Sequence, residues 1–331
     1  MTELPETARR DTRRLLIKGK AGLGNRVLST LTGITYAAIT NRQAIVDWRD
    51  GVYAPPSVNA FPLLFRSPLV DTSLAFPETN DVSPKIWNGH LDWTVSSMIA
   101  TYDRHRFRDP FIYRKYCCDL TRIDQREQLL IYWSYLPKFQ KIRRHFSGSL
   151  AHLRHATSQA IITDLMPRFL RPLPAIEERV ANFAAYNFSR WTIGVHVRHS
   201  DRLSPLEKIY SHVENALVDH RHATIFLATD NSAVEDEFRR RYANVVVAPK
   251  WLPPPGEAIH YNDKNKNMVE AAADALVDIY LLARTNQFIY PRGSTFSWLA
   301  RCLGDLPEDR VIDVERYDPR VFVKRVIHHL A

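Results

Sequence analysis

An α/β fold in two domains is what the sequence predicts, on three observations. The chain has 331 residues, more than one hydrophobic core comfortably organises. Residues 13 to 48 read strand, Gly-rich turn, helix, strand, which is how a layered α/β domain opens. From about residue 188 strands and helices alternate to the end, the rhythm of a mostly parallel sheet covered by helices. The division is placed between 187 and 188. Two such domains facing each other leave a cleft, and ligands of parallel sheets sit beyond the carboxyl ends of the strands.

The elements follow in order. RRLLIKG (13–19) is a strand. In KAGLGNRVLSTLTGITYAAITN the residues Val27, Leu28, Leu31, Ile34, Ala37 and Ala38 keep helical spacing, and QAIVDW (43–48) is a second strand. Residues 51 to 90, rich in Pro, Gly and Asn, read as loops with short helices. Residues 91 to about 185 read as mainly helical and aromatic: DWTVSSMIATYDRHRF, LLIYWSYLPKFQKIRRHF and AIEERVANFAAYNF. In the second half, WTIGVHVRHS, ATIFLATD, NVVVAPK, QFIYP and VIDVERY read as strands. PLEKIYSHVENALVDH, SAVEDEFRRRYA, MVEAAADALVDIYLLART and STFSWLARCLG read as helices.

Composition narrows the function. Apolar residues at 45% and charged residues at 24% exclude wholesale disorder. A net charge of +9 favours an anionic ligand. Nucleic acid is not expected, because Arg/Lys clusters with interleaved aromatics are missing. Three cysteines make no disulfide framework and fit a reducing compartment. With no secretory signal and no run of about 18 apolar residues, a cytoplasmic protein without a transmembrane segment is expected. Peripheral membrane contact and oligomeric state stay open.

The chemistry is expected at the strand ends. In GLGNR, Gly22 and Gly24 permit a tight turn, Asn25 and Arg26 follow, and the helix start offers free N–H groups to an anion; the bland alternative is a plain βα turn. In GVHVRHSD, His196 and Arg198 share one face of a core strand. A buried unpaired guanidinium is costly, so Arg198 either reaches the cleft, where phosphate suits its fork of donors, or pairs with Asp201. In the second case His196 is a core histidine; His199 is either a contact or solvated. Asp230 either caps the next helix or accepts from a base or ribose. Lys250 lies past another strand end, before a polar, Pro-rich loop at 251–267 that suits a flap. In YPRGSTFS, Gly293, Ser294 and Thr295 open a helix that continues through Phe296 and Ser297 and makes an anion seat. Glu270, Asp274 and Asp278 form a stripe read as a solvated face, unless one member meets an arginine. Trp87, Trp93, Tyr113, Trp133 and Tyr135 are either core or sugar-facing. No metal-ligand motif and no GxSxG turn is seen, so no metal is expected.

The pieces GLGNR, VDWRDGVYAPPSVNAFPLLF, IGVHVRHSD, LATD, VVVAPK, ALVDIYLLARTNQFIYPRGSTFSWLARCLG and VIDV, in this order over roughly residues 14 to 315, resemble the rhizobial nodulation fucosyltransferases (NodZ). More distantly they resemble the α1,6-fucosyltransferases of N-glycan cores. The resemblance implies a GT-B fold of two Rossmann-like domains, the second holding GDP-fucose. It implies inverting, metal-independent transfer of L-fucose from GDP-β-L-fucose to a GlcNAc-containing oligosaccharide, through α1,6 linkage to a chitin oligosaccharide or lipochitooligosaccharide. It makes HVRHSD the His-x-Arg motif, with Arg198 clamping the diphosphate and His196 shaping its pocket. Asp230 falls near the nucleotide, Ser294 to Ser297 form the phosphate-contacting turn, and GLGNR closes on the diphosphate. His199 stands where the core-glycan enzymes carry a second arginine. Asp201 and Glu207 are the acidic candidates for the general base. The alternatives are a glycosyltransferase using another nucleotide sugar or acceptor, and a non-enzymatic nucleotide- or polyanion-binding protein.

Overall fold

The computed structural model describes residues 13–107, 109–199, 203–252 and 267–330. The elements of the first half are β1 (Arg14–Lys18), α1 (Leu23–Ile39), β2 (Gln43–Asp47), β3 (Phe65–Arg66), β4 (Val70–Asp71), β5 (Val82–Ser83), α2 (Val95–Tyr102), α3 (Tyr113–Tyr116), β6 (Leu129–Tyr132), α4 (Phe139–Ile142), α5 (Ser158–Phe169) and β7 (Arg171–Pro172). There follow α6 (Pro174–Asn187), β8 (Thr192–Val197), α7 (Leu206–Asp219), β9 (Thr224–Thr229), α8 (Ser232–Arg241), β10 (Val245–Val246), α9 (Met268–Leu282), β11 (Gln287–Tyr290), α10 (Thr295–Leu303), β12 (Val311–Asp313) and α11 (Pro319–Leu330).

The chain forms two compact α/β units. One runs to Gly51 and resumes over Pro55–Arg171; the other takes Val52–Ala54 and Pro172–Val326. The division therefore falls before α6, not after it at 187/188. In the second unit α6 packs against α9.

Each unit is built on a five-stranded parallel sheet. The strand orders are β4-β2-β1-β6-β5 and β10-β9-β8-β11-β12. Both are doubly wound: the chain builds outward from one central strand, then returns to its other side. The switch points lie between β1 and β6 and between β8 and β11, whose registers pair Leu15 with Leu130 and Ile193 with Gln287.

The strands at the switch points are buried along most of their length because helices cover both faces. All six residues of β8 are buried. Gly194 sits where a Cβ would come within 2.7 Å of Thr285 Oγ1, so the strand needs glycine to lie this close to the end of α9.

One helical expectation is corrected here. LLIY, read as part of a helical stretch, is β6, paired parallel to β1 and β5. Four consecutive apolar residues suit a strand buried on both faces, and so short a run carries no helical period.

The three cysteines are buried and form no disulfide. The Cys117 thiol donates to the Trp133 carbonyl at 2.7 Å. Burial raises Cys117 well above the usual thiol range and pushes Cys118 up to about 12. No helix among the described residues is long and apolar enough to cross a membrane.

Candidate active site

The second unit brings two of the expected stretches together at its switch point. His196 is the penultimate residue of β8, and Ser294 to Ser297 open α10 just after β11. His196 Nδ1 and the fully buried Ser297 hydroxyl share a hydrogen bond. The imidazole also stacks on Phe296, with centroids 4.7 Å apart and planes 21° apart. Burial, assisted by the charges of Arg198 and Lys250, pulls His196 down to about 3, so the ring is neutral at pH 7.

Arg198 follows at the strand exit, half-buried. Its backbone is pinned by Ser204: the Arg198 amide donates to Ser204 Oγ at 3.0 Å, and the Ser204 amide and hydroxyl each donate to the Arg198 carbonyl at 2.9 Å. Asp201 lies outside the described residues. Glu207 is exposed in the first turn of α7.

Asp230 is not the cap of α8. Asn231 is, accepting from the Ala233 and Val234 amides at 2.9 and 3.2 Å. Asp230 instead accepts from the His199 amide at 2.7 Å, and Asn231 donates to the His199 carbonyl at 3.2 Å. The end of β9 thus holds the end of β8 in place. His199 Nδ1 is buried without a hydrogen-bond partner among the described residues.

Ser294 occupies the N-cap of α10, yet its side chain makes no cap hydrogen bond. Its hydroxyl is buried and has no hydrogen-bond partner among the described residues. No acidic residue stands in the first turn of α10 itself. The preceding turn is fixed by Glu315, which accepts from the Gly293 amide at 2.7 Å. Thr295 and Phe296 are half-buried beside it. An anion of phosphate size is what such a helix start binds.

Lys250 departs from expectation, and the stripe on α9 meets an arginine. Lys250 forms an ion pair with Asp278, the two side chains being 7% and 5% exposed. Arg179 on α6 bridges Glu270, at 2.9 Å, and Asp274. The stripe is solvated only at Glu270, and its arginine alternative is the one met: Asp274 and Asp278 are buried, facing cations from α6 and from the end of the β10 segment. Burial raises both carboxyls despite these partners. Arg179 was beyond the reach of a linear reading, being 95 positions from Asp274.

The first unit holds the GLGNR turn at its own switch point. Asn25 donates to the Tyr135 carbonyl at 2.5 Å, joining the start of α1 to the segment after β6. Arg26 is buried, donating to the Ala21 carbonyl at 2.8 Å and to Asp50 at 2.5 Å. The charge expected of Arg26 for an anion is thus neutralised within the unit by Asp50. The backbone also differs: the left-handed residue of the turn is Ala21, at φ 65°, while Gly22 is extended at φ −71°. Trp87, Trp133 and Tyr113 are core; Trp93 and Tyr135 stay partly accessible. Among the described residues no three His, Cys, Asp or Glu side chains are grouped as metal ligands.

Comparison with known proteins adds to this geometry. The family profile "Nodulation protein Z (NodZ)" matches residues 157–329. Nodulation protein Z of Azorhizobium caulinodans is 26% identical, over 86% of this chain and 87% of its own. The crystal structure of fucosyltransferase NodZ from Bradyrhizobium superposes with a TM-score of 0.59 at 24% identity, covering 88% of this chain and 94% of that one. The α-1,6-fucosyltransferase NodZ soaked with GDP-fucose gives the same score and identity over 88% and 93%. At that identity the structures establish a shared fold.

Proposed function

This chain belongs to the Nodulation protein Z (NodZ) family, and from that premise we propose that it is an inverting, metal-independent fucosyltransferase of GT-B type. It moves L-fucose from GDP-β-L-fucose to a GlcNAc-containing oligosaccharide, forming an α1,6 linkage to a chitin oligosaccharide or lipochitooligosaccharide. The observation that carries the reading is the meeting of His196 with Ser297 where β8 and β11 part, with Arg198 at the strand exit and an uncapped helix start alongside. A relative of the same fold has been soaked with GDP-fucose, which supports the donor.

The chemistry follows from these groups. The bond from the fucose anomeric carbon to the β-phosphate oxygen breaks, and its electron pair leaves with GDP. The acceptor hydroxyl oxygen bonds the anomeric carbon from the opposite face, which inverts it, and its proton goes to a base. Negative charge grows on the leaving diphosphate. Arg198 and the N–H groups at the start of α10 stabilise that charge more in the transition state than in the bound donor. The Ser294 hydroxyl, buried without an internal partner, donates to a phosphate oxygen. Neutral His196 shapes the pocket without competing as a cation. Asp201 and Glu207 are the candidate bases, and Asp230 and His199 border the nucleotide side. Arginine and helix ends replace a divalent metal in neutralising phosphate.

Mass spectrometry of a reaction holding GDP-fucose, chitin oligosaccharides and a chelator tests the whole reading. The expected product is heavier than the acceptor by one deoxyhexosyl unit. GDP and free fucose alone would retain the donor and overturn the acceptor. No release of GDP would overturn the activity.

A further inference from the structure

Most aromatic clusters of the first unit are core. Trp48 packs with Phe61 and Phe65, and Trp87 with Tyr116, all of them buried. His90, Trp93 and Tyr102 are arranged otherwise. Trp93 lies 4.3 Å from His90 by ring centroids and 6.5 Å from Tyr102, its plane only 23° from that of Tyr102. Tyr102 Oη and His90 Nε2 are 3.0 Å apart. Tyr102 is 44% exposed and Phe107 45%. Among the described residues Tyr102 and Phe107 are the exposed Phe, Tyr or Trp side chains of the first unit, and His90 and Trp93 are half-buried beside Tyr102.

Their position is fixed from the sheet. Lys18, the last residue of β1, forms a buried ion pair with Asp47 and donates to the Leu91 carbonyl. Lys20 donates to Ser96 Oγ at 2.9 Å and lies 4.6 Å from the centre of the Phe107 ring. Thr94 caps α2 by accepting from the Ser97 amide at 3.0 Å, which sets Trp93 just ahead of the helix and Tyr102 at its last residue. Two lysines at the carboxyl end of β1 thus hold the ring-bearing segment on the sheet edge where parallel α/β sheets place ligands. Rings exposed at a surface add no packing stability of their own, whereas anchored rings at a ligand edge are preorganised for contact.

We infer that His90, Trp93 and Tyr102 form a stacking platform for one pyranose ring of the oligosaccharide acceptor, an inference that rests on the fucosyl-transfer reading. The face of an aromatic ring is electron-rich, and the C–H face of a β-linked GlcNAc unit is apolar and weakly positive, so the two stack. The Tyr102 hydroxyl and the His90 ring nitrogen line the edge of the platform and exchange hydrogen bonds with sugar hydroxyls. An uncharged ligand fits, because stacking and hydroxyl contacts supply the recognition.

The test uses the whole protein and tetra-N-acetylchitotetraose. In steady-state assays Trp93→Ala and Tyr102→Ala raise the acceptor KM about tenfold or more, while the calorimetric Kd for GDP-fucose stays at the wild-type value. Trp93→Phe keeps most of the acceptor affinity. Tyr102 is exposed, so its variant folds even if the Trp93 variant does not. An unchanged KM in both Tyr102→Ala and Trp93→Ala would overturn the platform and leave fucosyl transfer standing. Failure of the wild-type protein to bind GDP-fucose would instead overturn the activity. Direct binding then decides the platform: chitotetraose shifts the tryptophan fluorescence of the wild type and not of Trp93→Ala. No shift in the wild type, or a stronger response to guanosine than to chitotetraose, would overturn it.

Discussion

Ser294 illustrates how one hydroxyl separates a structural role from a binding role. A serine that caps a helix loses about 1 kcal/mol on replacement by alanine. Ser294 makes no cap bond, so Ser294→Ala should leave unfolding free energy within about 0.5 kcal/mol of wild type. Calorimetry with GDP should nonetheless show affinity falling several-fold. His196 gives a prediction in pH. Its folded value near 3 lies below the ordinary 6.5, so between them the unfolded chain binds a proton that the folded chain does not. Its contribution is therefore complete above about pH 6.5 and is lost as pH falls toward 3, by up to about 1.4 kcal/mol per pH unit. In urea titrations, the stability advantage of wild type over His196→Phe should shrink from pH 7.5 to 5. A gap independent of pH would mean that the folded ring titrates as it does in the unfolded chain. Both positions stood out in the sequence, His196 because it shares a strand face with Arg198 and Ser294 because it stands at a strand-to-helix turn that exposes amides. The pairing of Arg26 did not: its partner Asp50 is 24 positions away. Nor did Ala21, since alanine gives no sign of a left-handed backbone.

Among the elements, α9 settles between two readings of its acidic stripe. Its carboxylates repeat every fourth residue, which a linear reading takes for a wet face unless an arginine meets it. Arg179 on α6 and Lys250 after β10 turn that face inward. Removing one member of a buried pair strands the other, so Lys250→Met should cost about 3–5 kcal/mol in chemical denaturation. The double variant Lys250→Met/Asp278→Leu should recover most of it. Recovery would mark the pair as an alternative to apolar packing, while a double variant as weak as the single would show that Lys250 acts through another neighbour. Helices with long period, such as α7 and α9, were plain in the sequence, and so were the strands of the second sheet. β6 was not, because four apolar residues fit either state and only pairing with β1 and β5 decides.

At the scale of the molecule, two sheets with the same doubly wound logic account for both the length of the chain and its alternation. Ligand binding should be visible unit by unit. In hydrogen exchange, saturating GDP should protect residues 192–199 and 290–303, where the ends of β8 and β11 meet, and the exchange of β10 should change least. Protection elsewhere in the second unit, with none at 290–303, would displace the nucleotide from the start of α10. The strand–helix alternation of the second unit was readable along the chain. The division between the units was placed one helix late, because α6 looks like its aromatic neighbours in sequence and declares its allegiance only by packing on α9.

The buried cysteines have a practical corollary. A thiol near 12 is ionised to roughly one part in 10⁵ at pH 7, and all three are shielded from solvent. The wild-type protein should take up no maleimide dye under native conditions. A cysteine installed at Tyr186, 88% exposed, should take up one equivalent. The chain is in effect a blank background for site-specific fluorescent labelling, with no native thiol to be removed first.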